Sequence, residues 1–403
     1  MPKKHHLSRR GFLGAAAAFA APLFVESTAF GANDQFTMGF VGMGGQGRGD
    51  MGGFLGFREE LRALAVCDVD AKHREMARGM VNSRYGNTDC DCVKDFRDVT
   101  ERKDIDAVFC ATPDHWHALI TLSAMRNGKD VYCEKPETLT IREGRVMIET
   151  ARRYGRVFSG GSQRVWQDYN WYHRVMWSGA AGKLREIYVN IGGPSGDCYL
   201  PAEPVPPELD WNMWLGPAPW RPYNHGMHPF RWRAFRDYSG GGMTDWGAHH
   251  IGGALFASQL YDQPLPVAIN PPDGKDYDRM TCTYATGVKL FLGGAWDGPL
   301  GFVGDLGEVP KRGEPRIPPP PTPIQGYRGR GGIFGDFVHC VKTRQRPFRD
   351  IERAHRAVAT CHLCNIAFWL KRPLKFDPEK ERFIGDDEAN RWIDRPRRAP
   401  WTI

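Results

Sequence analysis

Nowhere do the 403 residues contain an apolar run of the about twenty needed to cross a bilayer; the longest, 15–25, is about half that length. Stable membrane insertion is therefore not expected. A charge excess of one sign is also lacking, since 54 Lys and Arg oppose 47 Asp and Glu. Lys3, Lys4, Arg9 and Arg10 against Glu26 account for three of the net +7, leaving about +4 scattered over the remainder. That is too little, and too dispersed, for a nucleic-acid partner. No repeat or heptad pattern is present, which excludes solenoids and coiled coils. Among the ten cysteines, Cys361 and Cys364 form one CxxC with no second pair, so no metal site is expected. Cys67 and Cys110 end apolar strands, where a thiol behaves as a small hydrophobe, and few or no disulfides are expected.

What is there begins with a leader. A basic start, the twin arginine of Ser8-Arg9-Arg10-Gly11-Phe12-Leu13, the short apolar run and small residues around Ala29-Phe30-Gly31-Ala32 read as a cleavable twin-arginine signal over 1–31. The expected location is periplasmic, or otherwise outside the cytoplasm by the twin-arginine route. From 33 to 158, apolar strands at 36–41, 61–67, 107–111 and 130–133 alternate with helical patterns at 71–85, 117–127 and 141–154. Such alternation indicates parallel βαβ units and an α/β Rossmann domain. From 159 to 403 the pattern changes to sheet strands at 187–192, 280–284 and 288–292, a Trp- and Pro-rich loop, a polyproline-type segment at 316–323, a helix at 351–369 and a charged tail. This second domain, for substrate and oligomer contacts, is expected to carry an open, mostly antiparallel sheet.

Gly42-Met-Gly44-Gly45-Gln-Gly47 follows the first strand and opens a helix, the context that gives GxGxxG its meaning. Gly42 permits the tight turn, Gly44 lets backbone approach a pyrophosphate, and Gly47 lets helix and strand pack closely. Asp68 closes the second strand 21 residues beyond Gly47. A carboxylate there accepts bonds from both ribose hydroxyls and repels a 2′-phosphate, favouring NAD. Arg74 lies near enough in sequence to leave NADP open. Asp70 reads as a helix N-cap.

Through Ala111-Thr112-Pro113-Asp114-His115-Trp116-His117, Cys133-Glu134-Lys135-Pro136 and Gly241-Gly242-Met243-Thr244-Asp245-Trp246-Gly247-Ala248-His249, the chain resembles the Gfo/Idh/MocA oxidoreductases, in particular members similar to glucose-fructose oxidoreductase. The resemblance implies a Rossmann domain, a C-terminal α/β domain with an open sheet, and a homo-oligomer (dimer or tetramer) that uses that sheet. It also implies that Thr112, Pro113 and His117 flank the cofactor, that Glu134 and Lys135 approach the nicotinamide, and that Gln163 borders it.

The chemistry agrees with that placement. Oxidising a carbinol requires a base for the hydroxyl proton and a group that stabilises negative charge on oxygen. Lys135 suits the second task. Asp245 and His249, four apart on an expected helix, project from one face. His249 titrates near neutrality and suits the proton acceptor, with Asp245 orienting it or holding a substrate hydroxyl. Arg164, and Trp220 from the aromatic run Trp211, Trp214, Trp220, Tyr223, Phe230 and Trp232, are candidates for holding a sugar.

These readings lead to an NAD(P)-dependent oxidoreductase acting on a sugar or glycoside hydroxyl. Free NAD is scarce outside the cytoplasm, so a chain exported already folded is expected to hold a tightly bound, recycled cofactor. One alternative is a redox-neutral NAD-dependent glycosidase working through a ketosugar. The glycosidases of the family often depart from the Glu-Lys-Pro motif, whereas Lys135 is present here. The other is a non-catalytic sugar or nucleotide sensor.

Overall fold

The computed structural model describes residues 35–229, 231–295, 298–309 and 324–403. The expected leader, the polyproline-type segment and Phe230 lie outside the described residues. Strand β1, Phe36–Val41, is apolar on both faces and buried on both, as a central parallel strand must be. It is flanked by β2 (Leu61–Cys67) and β4 (Ala107–Cys110), and β3 (Asp91–Val93), β5 (Asp130–Cys133) and β6 (Phe158–Gly160) complete the sheet. The order is β3-β2-β1-β4-β5-β6 with every neighbour parallel. The chain reverses direction of winding between β1 and β4, and a crevice opens there beyond the carboxyl ends of the strands.

Four helices serve this sheet: α1 (Gly45–Phe54), α2 (Ala71–Tyr85), α3 (Asp114–Arg126) and α4 (Ile141–Arg153). Asp70 caps α2 by accepting from the Lys72 and His73 amides, and Gly86 ends it at φ 68. Thr140 and Glu143 form a reciprocal capping box on α4.

The second sheet has the order β12-β11-β7-β10-β9-β8-β13-β14. Its strands are β7 (Leu184–Val189), β8 (Ala268–Asn270), β9 (Thr281–Thr283), β10 (Lys289–Leu292), β11 (Leu300–Gly304), β12 (Gly307–Val309), β13 (Leu374–Asp377) and β14 (Arg382–Phe383). Only β10 and β7 run parallel; the other pairs are antiparallel. Helices α5 (Gly247–Ala257) and α7 (Ile351–Leu370) contribute Ile251, Ala254, Leu255, Ala357, Cys361 and Cys364 to the same core as Ile187, Val189 and Leu290. Strand β7 begins three residues before the sequence suggests and stops at Val189. The next residue, Asn190, gives its side-chain amide to the Ala295 and Gly298 carbonyls and its backbone N–H to the Pro299 carbonyl.

Two features tie the halves together. Helix α6 (Gly332–Thr343), late in the chain, packs on the first sheet. Phe334 and Phe337 lie 4.9 and 5.9 Å from the ring of Phe54, and Ile333, Val338 and Val341 join the core of Phe36 and Phe40. Each such buried side chain stabilises by about 1.5–3 kcal/mol. The charged tail expected at the end of the chain is docked rather than free: Trp401 meets Trp116 edge-on at 4.7 Å, and Arg398 bonds the Gly216 carbonyl and Asn212.

Candidate active site

The turn after β1 has the properties that a dinucleotide demands. Gly42 sits at φ 86, and a Cβ there would lie 2.5 Å from the Thr112 amide nitrogen. A Cβ on Gly47 would stand 1.9 Å from the Gly42 carbonyl oxygen, whereas one on Gly44 would meet no protein atom within 4 Å. The crossing strand and helix thus require glycine at two positions, and open space lies over the third. Gly44 caps α1 without any side-chain bond, so the first-turn N–H groups and the positive end of the helix face that space. At the end of β2, Asp68 accepts from the Met43 amide at 2.6 Å and the Asp70 amide at 2.9 Å. It is thereby held at the rim of a cavity of about 480 Å³. Arg74 is turned to the Asp68 carbonyl, at 3.1 Å. Thr112, Pro113, Trp214, Trp232 and Arg233 form further wall. The glycine turn, Asp68, Thr112 and Pro113 fit a bound NAD.

Beyond β5 the chain presents the chemical groups. Lys135 Nζ donates to Asp245 Oδ1 at 2.7 Å, joining the two halves of the molecule, and Arg233 Nε lies 3.4 Å from the same oxygen. Asp245 and His249 do not share a continuous helix: Asp245 ends the short helix Gly242–Asp245, and His249 sits in α5 after the junction at Trp246. The expectation that Asp245 orients His249 is therefore corrected. Asp245 faces Lys135, while Ser162 Oγ lies 2.6 Å from His249 Nδ1.

The expectation that His249 titrates near neutrality is corrected too. Burial and the nearby cations Lys135, Arg349 and Arg164 push its pKa down to about 2, leaving a neutral imidazole. His117 does not flank the cavity either. Its ring is buried, 2.8 Å from the Pro136 carbonyl and 2.7 Å from that of Thr112, and it braces the two motif segments against each other.

Glu134 turns away from Lys135 towards α1. Gln163 Nε2 lies 3.2 Å from Glu134 Oε1 and 3.4 Å from Asp50 Oδ1, and Gln46 donates to Asp50 as well. Burial and the Asp50 charge push the Glu134 carboxyl well up, and burial raises Asp50 to about 6. Arg164 pairs with Asp168 and lies over the Trp246 ring at 5.2 Å, at the edge of the reacting groups. Trp220 is 65% exposed and not part of the cavity wall. Trp211, Trp214, Tyr223 and Trp232 form a hydrophobic core, because an aromatic run this dense buries most of its own faces, and Trp214 and Trp232 also line the cavity.

Sequence reasoning missed Asp50, Ser162, Arg233 and the buried pair of Glu137 with Arg349, whose Nε and Nη2 reach the carboxylate at 3.0 and 3.3 Å. For Asp50 a signal existed, an acid inside a glycine-rich helix. For Arg233 and Arg349 none did. Two further groups, Cys110 with His117 and Cys133, and Asp70 with His73 and His228, bring potential metal ligands together. His117 is already engaged by carbonyls and Asp70 by its helix cap.

A family model described as "Oxidoreductase family, NAD-binding Rossmann fold" matches residues 36–162, and one described as "Oxidoreductase family, C-terminal alpha/beta domain" matches 171–403. The chain is similar in fold to myo-inositol 2-dehydrogenase from Lactobacillus plantarum, with a TM-score of 0.60 at 18% identity over 85% of this chain and 100% of that one. It is similar also to aldose-aldose oxidoreductase from Caulobacter crescentus complexed with glycerol, with a TM-score of 0.57 at 18% identity over 85% and 100%. An alpha-N-acetylgalactosaminidase of Shewanella oneidensis is 29% identical over 177 residues, 37% of this chain and 38% of that protein. A glycosyl hydrolase family 109 protein of Saccharopolyspora erythraea is 32% identical over 135 residues, 32% of this chain and 28% of that protein. The match thus spans 38% and 28% of the length of these two curated relatives.

Proposed function

Because the chain belongs to the Gfo/Idh/MocA oxidoreductase family, with its NAD-binding Rossmann domain, we propose that it oxidises a secondary hydroxyl of a sugar or sugar derivative. The observation that carries this reading is the Lys135–Asp245 bond beside a neutral His249, next to Arg233 on the cavity wall. Gly42, Gly44 and Gly47 would hold the diphosphate, Asp68 the adenosine ribose, and Thr112 and Pro113 the wall. When bound, the nicotinamide supplies the hydride acceptor.

Lys135, held in place by Asp245, donates to the reacting oxygen and stabilises charge that develops there. His249 takes the hydroxyl proton. Its depressed pKa does not disqualify it, because the hydroxyl proton grows more acidic as the C–H hydride departs, with Lys135 holding the oxygen, so the O–H pair goes to the C=O bond while His249 takes the proton. Ser162 fixes the ring for the transfer. We extend the proposal to export by the twin-arginine route, folded and with the cofactor retained.

The test is to purify the protein, add candidate sugars and follow reduced-nicotinamide absorbance. A stable rise on adding sugar supports dehydrogenation. The curated relatives favour a second reading, in which the ketosugar formed transiently expels a glycosidic leaving group and then recovers its hydride. Glycoside cleavage without net reduction would establish it. A bound sugar with neither change would mark a sensor.

A further inference from the structure

Arg233 lies in a short 3-10 turn, Arg231–Ala234, whose preceding tryptophan is buried. The guanidinium carbon stands 4.3 Å from the centroid of the Trp232 ring, so the plane is held by a rigid aromatic platform. Its one contact to a charged group goes through Nε, 3.4 Å from Asp245 Oδ1. The two terminal nitrogens have no hydrogen-bond partner among the described residues, although the side chain is only 38% exposed and borders the cavity. A guanidinium fork oriented by stacking and left open towards a crevice matches a planar oxyanion with two bonds.

The charges around it point the same way. Lys135 and Arg233 bring two cations to one carboxylate, Asp245. A second acid near Arg233, Asp114, is buried and bonded by Ser239, and burial pushes its pKa to about 7. His249 lies beside Lys135 with a depressed pKa and stays neutral.

We propose that the substrate is a sugar acid, whose carboxylate sits on the Arg233 fork while a hydroxyl elsewhere on the molecule lies at Lys135. The inference rests on the oxidoreductase reading and narrows it. In the reaction the C–H hydride and O–H proton leave as described, and the carboxylate is unchanged.

The experiment compares glucuronate with glucose and galacturonate with galactose, using wild type, Arg233→Gln and Arg233→Lys. It measures kcat/KM and, by calorimetry on NAD-loaded protein, sugar binding. NAD affinity is measured separately by fluorescence titration without sugar. The acid should be preferred on the order of 10²-fold or more, as expected for a bidentate charged contact. Arg233→Gln should collapse the preference to a few-fold, Arg233→Lys should restore part of it, and NAD affinity should stay within about threefold.

Equal handling of acid and neutral sugar by wild type overturns the proposal. So does an Arg233→Gln variant that keeps the preference but loses NAD affinity, since the fork would then serve the cofactor diphosphate. Binding of the acid that depends on Arg233, with no nicotinamide reduction, would uphold this assignment and sink the oxidation reading instead.

Discussion

The Met43 amide and the Asp68 carboxylate, 25 residues apart in sequence, meet at 2.6 Å on the cofactor wall; Lys135 and Asp245, 110 residues apart, meet at 2.7 Å on the wall proposed to face substrate. The glycine turn and Asp68 of the first wall come from a single βαβ run. The second draws Lys135, Ser162, Arg233, Asp245 and His249 from separate segments of both sheets' surroundings. Cofactor recognition is thus a local property of the chain, and substrate chemistry is a tertiary one. Substitutions should separate the two.

The largest effect is expected at Lys135. Replacing it with Met should lower kcat/KM by about 10²- to 10⁴-fold while NAD affinity by fluorescence titration is unchanged. An equal loss of both would break the distinction between the walls. Next comes the buried tie behind the substrate wall. Glu137→Ala leaves Arg349 buried and without its carboxylate, which should cost about 3–5 kcal/mol in urea unfolding. A loss below about 1 kcal/mol would show that Arg349 finds water or another partner.

A pair of glycines tests the cofactor wall alone. Gly47→Ala drives a methyl into the Gly42 carbonyl and should destabilise by about 1–3 kcal/mol, with loss of NAD binding. Gly44→Ala meets no protein atom within 4 Å, so it should change stability by no more than about 1 kcal/mol yet still weaken NAD. If both variants lose stability equally, Gly44 is not standing over ligand space.

The smallest effect is in pH dependence. Burial and neighbouring cations disfavour the charged form of His249, so its pKa falls to about 2 and the ring is neutral across the working range. The kcat/KM profile should therefore show no limb at the ordinary histidine value. His249→Asn should lower the rate without moving an inflection that wild type displays. An inflection that disappears with His249 would mean that the site becomes more polar when loaded.

How much was legible follows the same division. Strands β1, β2 and β5 and helix α2 occur where their apolar runs and flanking Gly and Asp residues place them, because a two-sided buried strand leaves little freedom in reading. Helix α6 and the short β11 and β12 went unread: α6 opens Gly-Ile-Phe-Gly directly after glycines, and three- to five-residue strands carry too few alternations to register. In the site, the glycine turn and Asp68 were readable as contiguous motif and spacing. The division of Asp245 and His249 was not, because the four-residue spacing suits one helix and only the junction at Trp246 sends their side chains to different partners. Arg233 depends on a loop's path, which has no period to read.

Helix α6 has a consequence for how the molecule matures. The rings of Phe54 and Tyr132 are covered by Phe334 and Phe337, which leave the ribosome long after the strands they shield. A nascent polypeptide holding only the six parallel strands would therefore keep an uncovered apolar flank, and its nucleotide crevice would rest on unfinished support. Loading must wait until translation is nearly over. For a passenger sent across a membrane in its folded state, as proposed above, that delay acts as a timer, since an incomplete chain has no settled shape and no cofactor to carry.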